Sequence, residues 1–366
     1  MKLKSLQIKN FRVIKDLEID FVGSGSGPRQ ITALIGDNGS GKTTVLQAIA
    51  LVLSLATRRT KSPEDFLWHG FMPERVSSLG PTYIELEITM DQAEICAVRD
   101  VRDLWNTTVH APGAKPPREY IAPPGDFTDF KVAYESGVIR CGSAVEPQLL
   151  GRYLVKAMLS IDPSLRKHFA EMGDVFWFDQ DRNLGAAMLS RPNGDMEGKE
   201  IRESWQGGVE RLREYLIGWW GYHTSPEKDG GKDYISELEP MFERVFPSTK
   251  FRGLKPRELN STGRASDFYF LLERQGRVFD IGEMSSGEQA VFPLLYEFVR
   301  LDIAKSIVLI DELELHLHPP QQQALLAALP KIGPDCQFII STHSPYLEEV
   351  IPDEHEVRLD GGRSCL

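Results

Sequence analysis

The chain has 366 residues, 41% hydrophobic and 26% charged, a balance that suits a soluble globular protein with one elaborated domain or two lobes. Acidic residues exceed basic ones by 53 to 42, a net charge of −11, which argues against nucleic-acid binding by bulk positive charge and leaves only a local basic patch open. Cys96, Cys141, Cys336 and Cys365 show no CxxC spacing, so neither a zinc knuckle nor a disulfide framework is expected. The longest apolar run, Ala48 to Ala56, is far short of the ~20 residues of a membrane span, and the opening MKLKSLQIKNFR alternates without a signal-peptide core. These features predict a cytoplasmic protein with no membrane partner.

The opening reads as strands: Leu3, Leu6 and Ile8, a turn at Asn10-Phe11-Arg12, then Leu17, Ile19 and Phe21 alternating with charges, a half-buried antiparallel pattern. Gln30 to Ile35 is an apolar run ending in the glycine-rich GDNGSGKTT, and Val45 to Ala56 reads as a buried helix. Thr82 to Thr89 alternates again as a strand. A Pro-rich loop from Ala111 to Gly125 precedes a hairpin, FKVAYESGVIRCG, turning at Ser136-Gly137. A helix is expected from Pro147 to about Ser160, a short strand at Val175 to Phe178, a helix flanked by loops between Gly194 and Gly231, and another at Tyr234 to Phe246. Beyond Asp267 come a hairpin around Gln275-Gly276, a helix opened by SSGEQ, the apolar strand SIVLI, a proline-started helix PPQQQALLAALPKI and the buried strand CQFIIST. Short apolar strands alternating with helices predict a largely parallel α/β sheet, joined to an N-terminal antiparallel layer. The expected division is an N-terminal lobe at 1–190, a helical insertion at 191–250 and a C-terminal lobe at 251–366. No coiled-coil heptads or internal repeats are visible.

Residues Gly36 to Thr43 fit GxxxxGK[ST] at every fixed position, between a strand and a helix. Glycines let backbone N–H groups face phosphate oxygens, and the helix start adds partial positive charge. Asn38, Gly39, Gly41, Lys42, Thr43 and Thr44 are the expected ATP contacts, with Lys42 on the β- and γ-phosphates and Thr43 on Mg²⁺. The strand Ile307 to Ile310 would deliver Asp311 to Mg²⁺ and Glu312 to an attacking water. Ser285 to Gln289 starts a helix and admits two readings, a plain N-cap or a second anion nest.

In this order, with Ser341-Thr342-His343 after the last strand, the chain resembles the ABC-type ATPases of the soluble branch that holds SMC, RecF, RecN and OLD-like proteins. LKSLQIKNFRVIKDLEIDF, GDNGSGKTT, MSSGEQ, IVLIDELELHLHP and FIISTHSP carry the likeness, over about residues 1 to 90 and 265 to 350. The resemblance implies a P-loop ATPase head working as a homodimer with two sandwiched ATPs. Ser285 and Gly287 would touch the γ-phosphate held by the other subunit. It also implies Glu312 as catalytic carboxylate, His343 as the switch histidine, and Arg12 as a nucleotide contact or else a solvated turn arginine. Gln180 would be the Q-loop glutamine that senses Mg²⁺ and positions water, or an ordinary loop residue. His316 and His318 could tempt a metal assignment, but loop hydrogen bonding or dimer contact explains them without a third ligand.

Lys42 and Ser285 lie 243 residues apart, longer than a transporter ATPase needs and without the coiled coil of SMC and RecN proteins. Only 23 residues follow His343, so no TOPRIM nuclease of the OLD type is expected here. The ELHLHP loop resembles that of bacterial antiphage ATPases of the Septu and retron-associated kinds. It implies a regulator or scaffold of a separately encoded effector such as an HNH-type nuclease. The alternative is a RecF-like clamp on DNA. Arg252, Lys255, Arg257 and Arg264 keep DNA contact open, beside the reading of a solvated face.

Overall fold

The computed structural model describes residues 1–25, 27–66, 68, 71–73, 76, 80–109, 119–178, 205–227, 231–258, 267–315 and 317–359. By contact density the chain falls into two units. Met1–Trp177, Ile303–Leu313 and Asp335–Leu366 form the first, and Phe178–Asp302 with Glu314–Pro334 the second.

The first unit starts with the antiparallel strands β1 (Lys2–Phe11) and β2 (Ile14–Asp20), joined by a tight turn of Arg12 and Val13; of the turn expected at Asn10 to Arg12, Asn10 and Phe11 still belong to β1, where Phe11 pairs with Ile14. Next come β3 (Ile31–Ile35), helix α1 (Lys42–Ala56), β4 (Tyr83–Thr89), α2 (Gln92–Val109) and the hairpin β5 (Asp129–Glu135) and β6 (Val138–Arg140). Ser136 and Gly137 both take the left-handed conformation at that hairpin's turn. The helix expected from Pro147 is instead two short pieces, α3 (Val145–Gln148) and α4 (Gly151–Met158). A Cβ at Gly151 would lie 2.4 Å from the Met172 sulfur and 2.9 Å from Val98 on α2, so a side chain there would force the packing apart. Strand β7 (Val175–Phe178) closes the first run of chain.

The second unit contains α5 (Trp205–Thr224), α6 (Tyr234–Val245), the antiparallel sheet β10-β9-β8 made by β8 (Thr249–Pro256), β9 (Phe268–Arg274) and β10 (Arg277–Asp280), then α7 (Ser286–Arg300). Its core is aromatic: Phe242 of α6 packs on Phe251 of β8 and Phe292 of α7 with ring centroids 5.3 and 4.9 Å apart. The chain then returns to the first unit for β11 (Ile307–Ile310), to the second for α8 (Pro319–Ile332), and back for β12 (Gln337–Thr342), the short helix α9 (Pro345–Glu348) and β13 (Glu356–Arg358).

Two sheets organise the first unit, an antiparallel one ordered β2-β1-β4-β5-β6 and another ordered β13-β3-β12-β11-β7. In the second sheet β11 pairs with β12, β12 with β3, and β13 with β3, all in parallel. Alternation in β4, where Ile84, Leu86 and Ile88 are buried and their neighbours half-buried, marks a sheet with one covered face. The apolar β11 and the β12 strand built around Phe338-Ile339-Ile340 are buried at every position, as strands covered on both faces must be. Helix α1 packs against both sheets and is apolar almost all round, with 13 of its 15 residues buried. Truncating Leu46, Ile49 or Leu53 there would cost about 2–5 kcal/mol each. That burial fixes the helix whose first turn carries the phosphate-binding residues.

Candidate functional site

Strand register sets the site. Thr342 lies opposite Ile35, and Ile310 opposite Ile340, so β3, β11 and β12 release their next residues at one edge of the sheet. In parallel α/β sheets this carboxyl edge is where ligands bind. The Gly36–Thr43 loop, Asp311 with Glu312, and His343 therefore emerge together.

The loop's geometry demands glycine at its first position. Gly36 has φ +155°, and a Cβ there would sit 2.6 Å from the Leu359 carbonyl oxygen and 2.7 Å from Ser40 Oγ. At the other end Gly41 caps α1 in the left-handed conformation (φ 98°). The N–H groups of the first helical turn are thus left open toward the loop, the standard cradle for phosphate oxygens. Asn38 and Gly39 are exposed, Thr44 is buried, and Lys42 is only 7% exposed. The Lys42 ammonium donates to the carbonyl oxygens of Gly36 at 2.6 Å and Asp37 at 3.0 Å, so its charge stands inside the loop.

Thr43, one residue on, faces the acidic strand end. Its hydroxyl donates to the Asp311 carboxylate, 3.1 and 3.0 Å from the two oxygens. Asp311 is 1% exposed and also accepts from Ser341 Oγ at 2.5 Å. Glu312 follows in the left-handed region (φ 47°), uncommon for a residue with a side chain, and its backbone N–H donates to Ser341 Oγ at 2.8 Å. The adjoining Leu313 N–H donates to the Ser341 carbonyl at 3.0 Å. A hydroxyl and a carboxylate converging from two elements form a hard-oxygen pair, the donor type that Mg²⁺ selects. The residues present fit that ion.

Arg12, also at positive φ (53°), donates to Gln47 Oε1, and Gln47 is a buried residue of α1 one turn beyond Thr43. The arginine is thereby held against the phosphate-binding helix; burial lowers its pKa, while a guanidinium stays charged at neutral pH. His343 is exposed, directly beyond the end of β12.

In the second unit Ser285 realises the N-cap reading. Its hydroxyl caps α7 and donates to Glu288 Oε2 at 2.8 Å, while its backbone N–H donates to the same oxygen at 2.9 Å, a capping box. Burial pushes the Glu288 carboxyl up, but the Ser285 hydroxyl and the Arg274 guanidinium outweigh it, leaving the pKa below the ordinary value. Ser285 itself is exposed, and Gly287 lies in the first turn of α7. Gln180, His316 and Arg264 lie outside the described residues. His318 caps α8 at the surface, its N–H bonded to Gln321 Oε1 at 3.0 Å. Among the described residues no group of three His, Cys, Asp or Glu side chains is placed to hold a metal. Arg252 and Lys255 are exposed on β8, and Arg257 is exposed just beyond it; Arg252 pairs with Glu273, and Arg257 lies over the Tyr269 ring at 5.0 Å.

Sequence reasoning singled out Ser341 only as part of a motif and did not foresee its contacts. They span about thirty positions of chain, which no local pattern encodes; the polar Ser341-Thr342 pair closing a buried strand was the available signal.

Comparison with known proteins places these features in context. Residues 1–103 match the family described as "AAA ATPase domain" and residues 226–348 the one described as "AAA domain, putative AbiEii toxin, Type IV TA system". The chain is 34% identical over 391 residues to the retron Vc95 probable ATPase of Vibrio cholerae serotype O1 biovar El Tor, covering 97% of this chain and 72% of that protein. It is 27% identical over 375 residues to the OLD nuclease of Thermus scotoductus, covering 95% of this chain. It is 24% identical over 368 residues to the Septu protein PtuA of Bacillus mycoides, covering 98%. The chain spans 60% of the length of that OLD nuclease and 40% of that Septu protein.

Proposed function

We propose that this chain, which belongs to the ABC-type ATPases of the SMC, RecF and OLD-like branch, binds and hydrolyses ATP to control a separately encoded effector in bacterial antiphage defence. The observation that carries the chemistry is the meeting of Thr43 and Asp311 at the carboxyl edge of the sheet beside Lys42. Lys42 and the N–H groups at the start of α1 would hold the β- and γ-phosphates. Thr43 and Asp311 would hold Mg²⁺, with Gln180 as a further contact; when bound, the ion neutralises charge on the phosphate oxygens. Glu312 would accept a proton from the attacking water, and His343 would contact the γ-phosphate. Arg12, held to α1 through Gln47, would contact the nucleotide.

The defence assignment is supported by similarity over 97% of this chain to a retron ATPase and over 98% of it to part of a Septu protein. On that reading the chain pairs as a homodimer. Ser285 and Gly287 of one subunit then complete the site of the other, and the pair regulates an effector such as an HNH-type nuclease. The test is a phage-plating assay on cells carrying this gene with its genetic neighbours. Protection that needs Lys42 is the expected result; equal protection by Lys42→Ala overturns the reading.

A further inference from the structure

We propose that Ser341 is a positioning residue that sets the metal-binding carboxylate and the water-activating glutamate with one hydroxyl. The proposal rests on the ATPase reading of Thr43, Asp311 and Glu312, and adds a residue that reading does not use.

A serine hydroxyl has one proton to give and lone pairs to receive. A backbone N–H can only donate, so the 2.8 Å contact with Glu312 N uses a lone pair of Ser341 Oγ. The hydroxyl proton is left for Asp311 Oδ1 at 2.5 Å. The Ser341 carbonyl takes the next N–H, that of Leu313, at 3.0 Å. One fully buried residue thus accepts two successive N–H groups of the turn that follows β11 and donates to the carboxylate just before them.

Each bond has a consequence. Asp311 receives hydroxyl protons from Thr43 on one side and Ser341 on the other, which fixes the carboxylate plane. Hydrogen-bonded partners behind metal ligands commonly change metal affinity or activity about 10–100-fold when removed. Glu312 occupies a left-handed conformation (φ 47°) that a residue with a side chain adopts only where its surroundings hold it. The N–H bonds of Glu312 and Leu313 to Ser341 help to hold it there. Without the hydroxyl, the turn can relax and the Glu312 carboxylate loses its fixed starting point. Because β11 and β12 are adjacent and parallel with Ile310 opposite Ile340, Ser341, the next residue of β12, lies beside Asp311, which follows β11. Ser341 therefore sets two separate steps, cation binding and water activation, without touching the nucleotide.

The test measures Mn²⁺ binding in the presence of ATP by electron paramagnetic resonance, alongside steady-state hydrolysis, on full-length protein. Ser341→Ala should weaken Mn²⁺ about 10-fold and lower kcat at least about 10-fold, with the KM for ATP changed less than about twofold. Ser341→Cys keeps the shape with a weaker donor and should fall between the two, separating lost hydrogen bonding from lost packing. Unchanged Mn²⁺ affinity in Ser341→Ala overturns the proposal, whether or not the unsubstituted protein turns ATP over. Failure of the unsubstituted protein to bind Mn²⁺ with ATP overturns the site reading and this inference with it.

Discussion

Replacing Lys42 with alanine removes the one ammonium that the structure places inside the phosphate-binding loop. A unit charge pair at 4 Å is worth about 4 kcal/mol at an effective dielectric near 20. Lys42 already donates to the Gly36 and Asp37 carbonyls, and exchanging those bonds for phosphate oxygens offsets about 1–2 kcal/mol of that gain. The remaining 2–3 kcal/mol corresponds to an affinity loss of about 100-fold. Asp37 is exposed, so water replaces the ammonium at its carbonyl and the fold should lose no more than about 1 kcal/mol. Isothermal titration with ATP and Mg²⁺, run beside urea denaturation, reads both numbers. A variant that stays folded and binds ATP within threefold of the unsubstituted protein would refute the assignment of this loop.

Three further expectations follow from the same geometry. Gly36→Ala drives a Cβ to 2.6 Å from the Leu359 oxygen and should lower stability by about 1–3 kcal/mol, read as a fall in the urea midpoint, with ATP binding lost in parallel. The Glu288 carboxyl titrates below its ordinary 4.5 because Ser285 and Arg274 outweigh burial, so its stabilisation is present above about pH 4.5 and fades as pH falls through the lowered value. Glu288→Ala should therefore flatten stability against pH below about 4.5; an unaltered profile assigns that slope elsewhere. Mixing Lys42→Ala with Ser285→Arg should restore part of the ATP-dependent pairing that each variant lacks alone, since one composite site stays intact; no recovery despite subunit exchange would exclude sites shared between subunits.

Much of this architecture was legible because burial writes itself into short patterns. The apolar runs of β3, β11 and β12 admit only strands covered on both faces, and the alternation of β1, β2 and β4 only strands covered on one. The loop at Gly36 to Thr43 was legible for a different reason, since its chemistry fixes residue type at each position. Helix α2 escaped because charged and polar residues dilute its stripe, although Ile95, Val98, Val101 and Trp105 are all buried at near-helical spacing. Helix α4 begins at Gly151, where a Cβ would clash with Met172 and Val98, contacts that sequence spacing does not record. Strand β8 read as a charge cluster because its outward residues are basic; the inward Thr249 and Phe251 are what bury it. Ser341 was hidden by the same distance in sequence that makes it useful in space.

The central claim is that this edge of the sheet hydrolyses ATP through Glu312. The most direct measurement is phosphate release by the unsubstituted protein and by Glu312→Gln, with ATP affinity determined on both. An amide keeps the shape of the carboxylate but cannot take a proton, so the account predicts a loss of turnover on the order of 10² or more with ATP affinity unchanged. Equal phosphate release by the two proteins would contradict it.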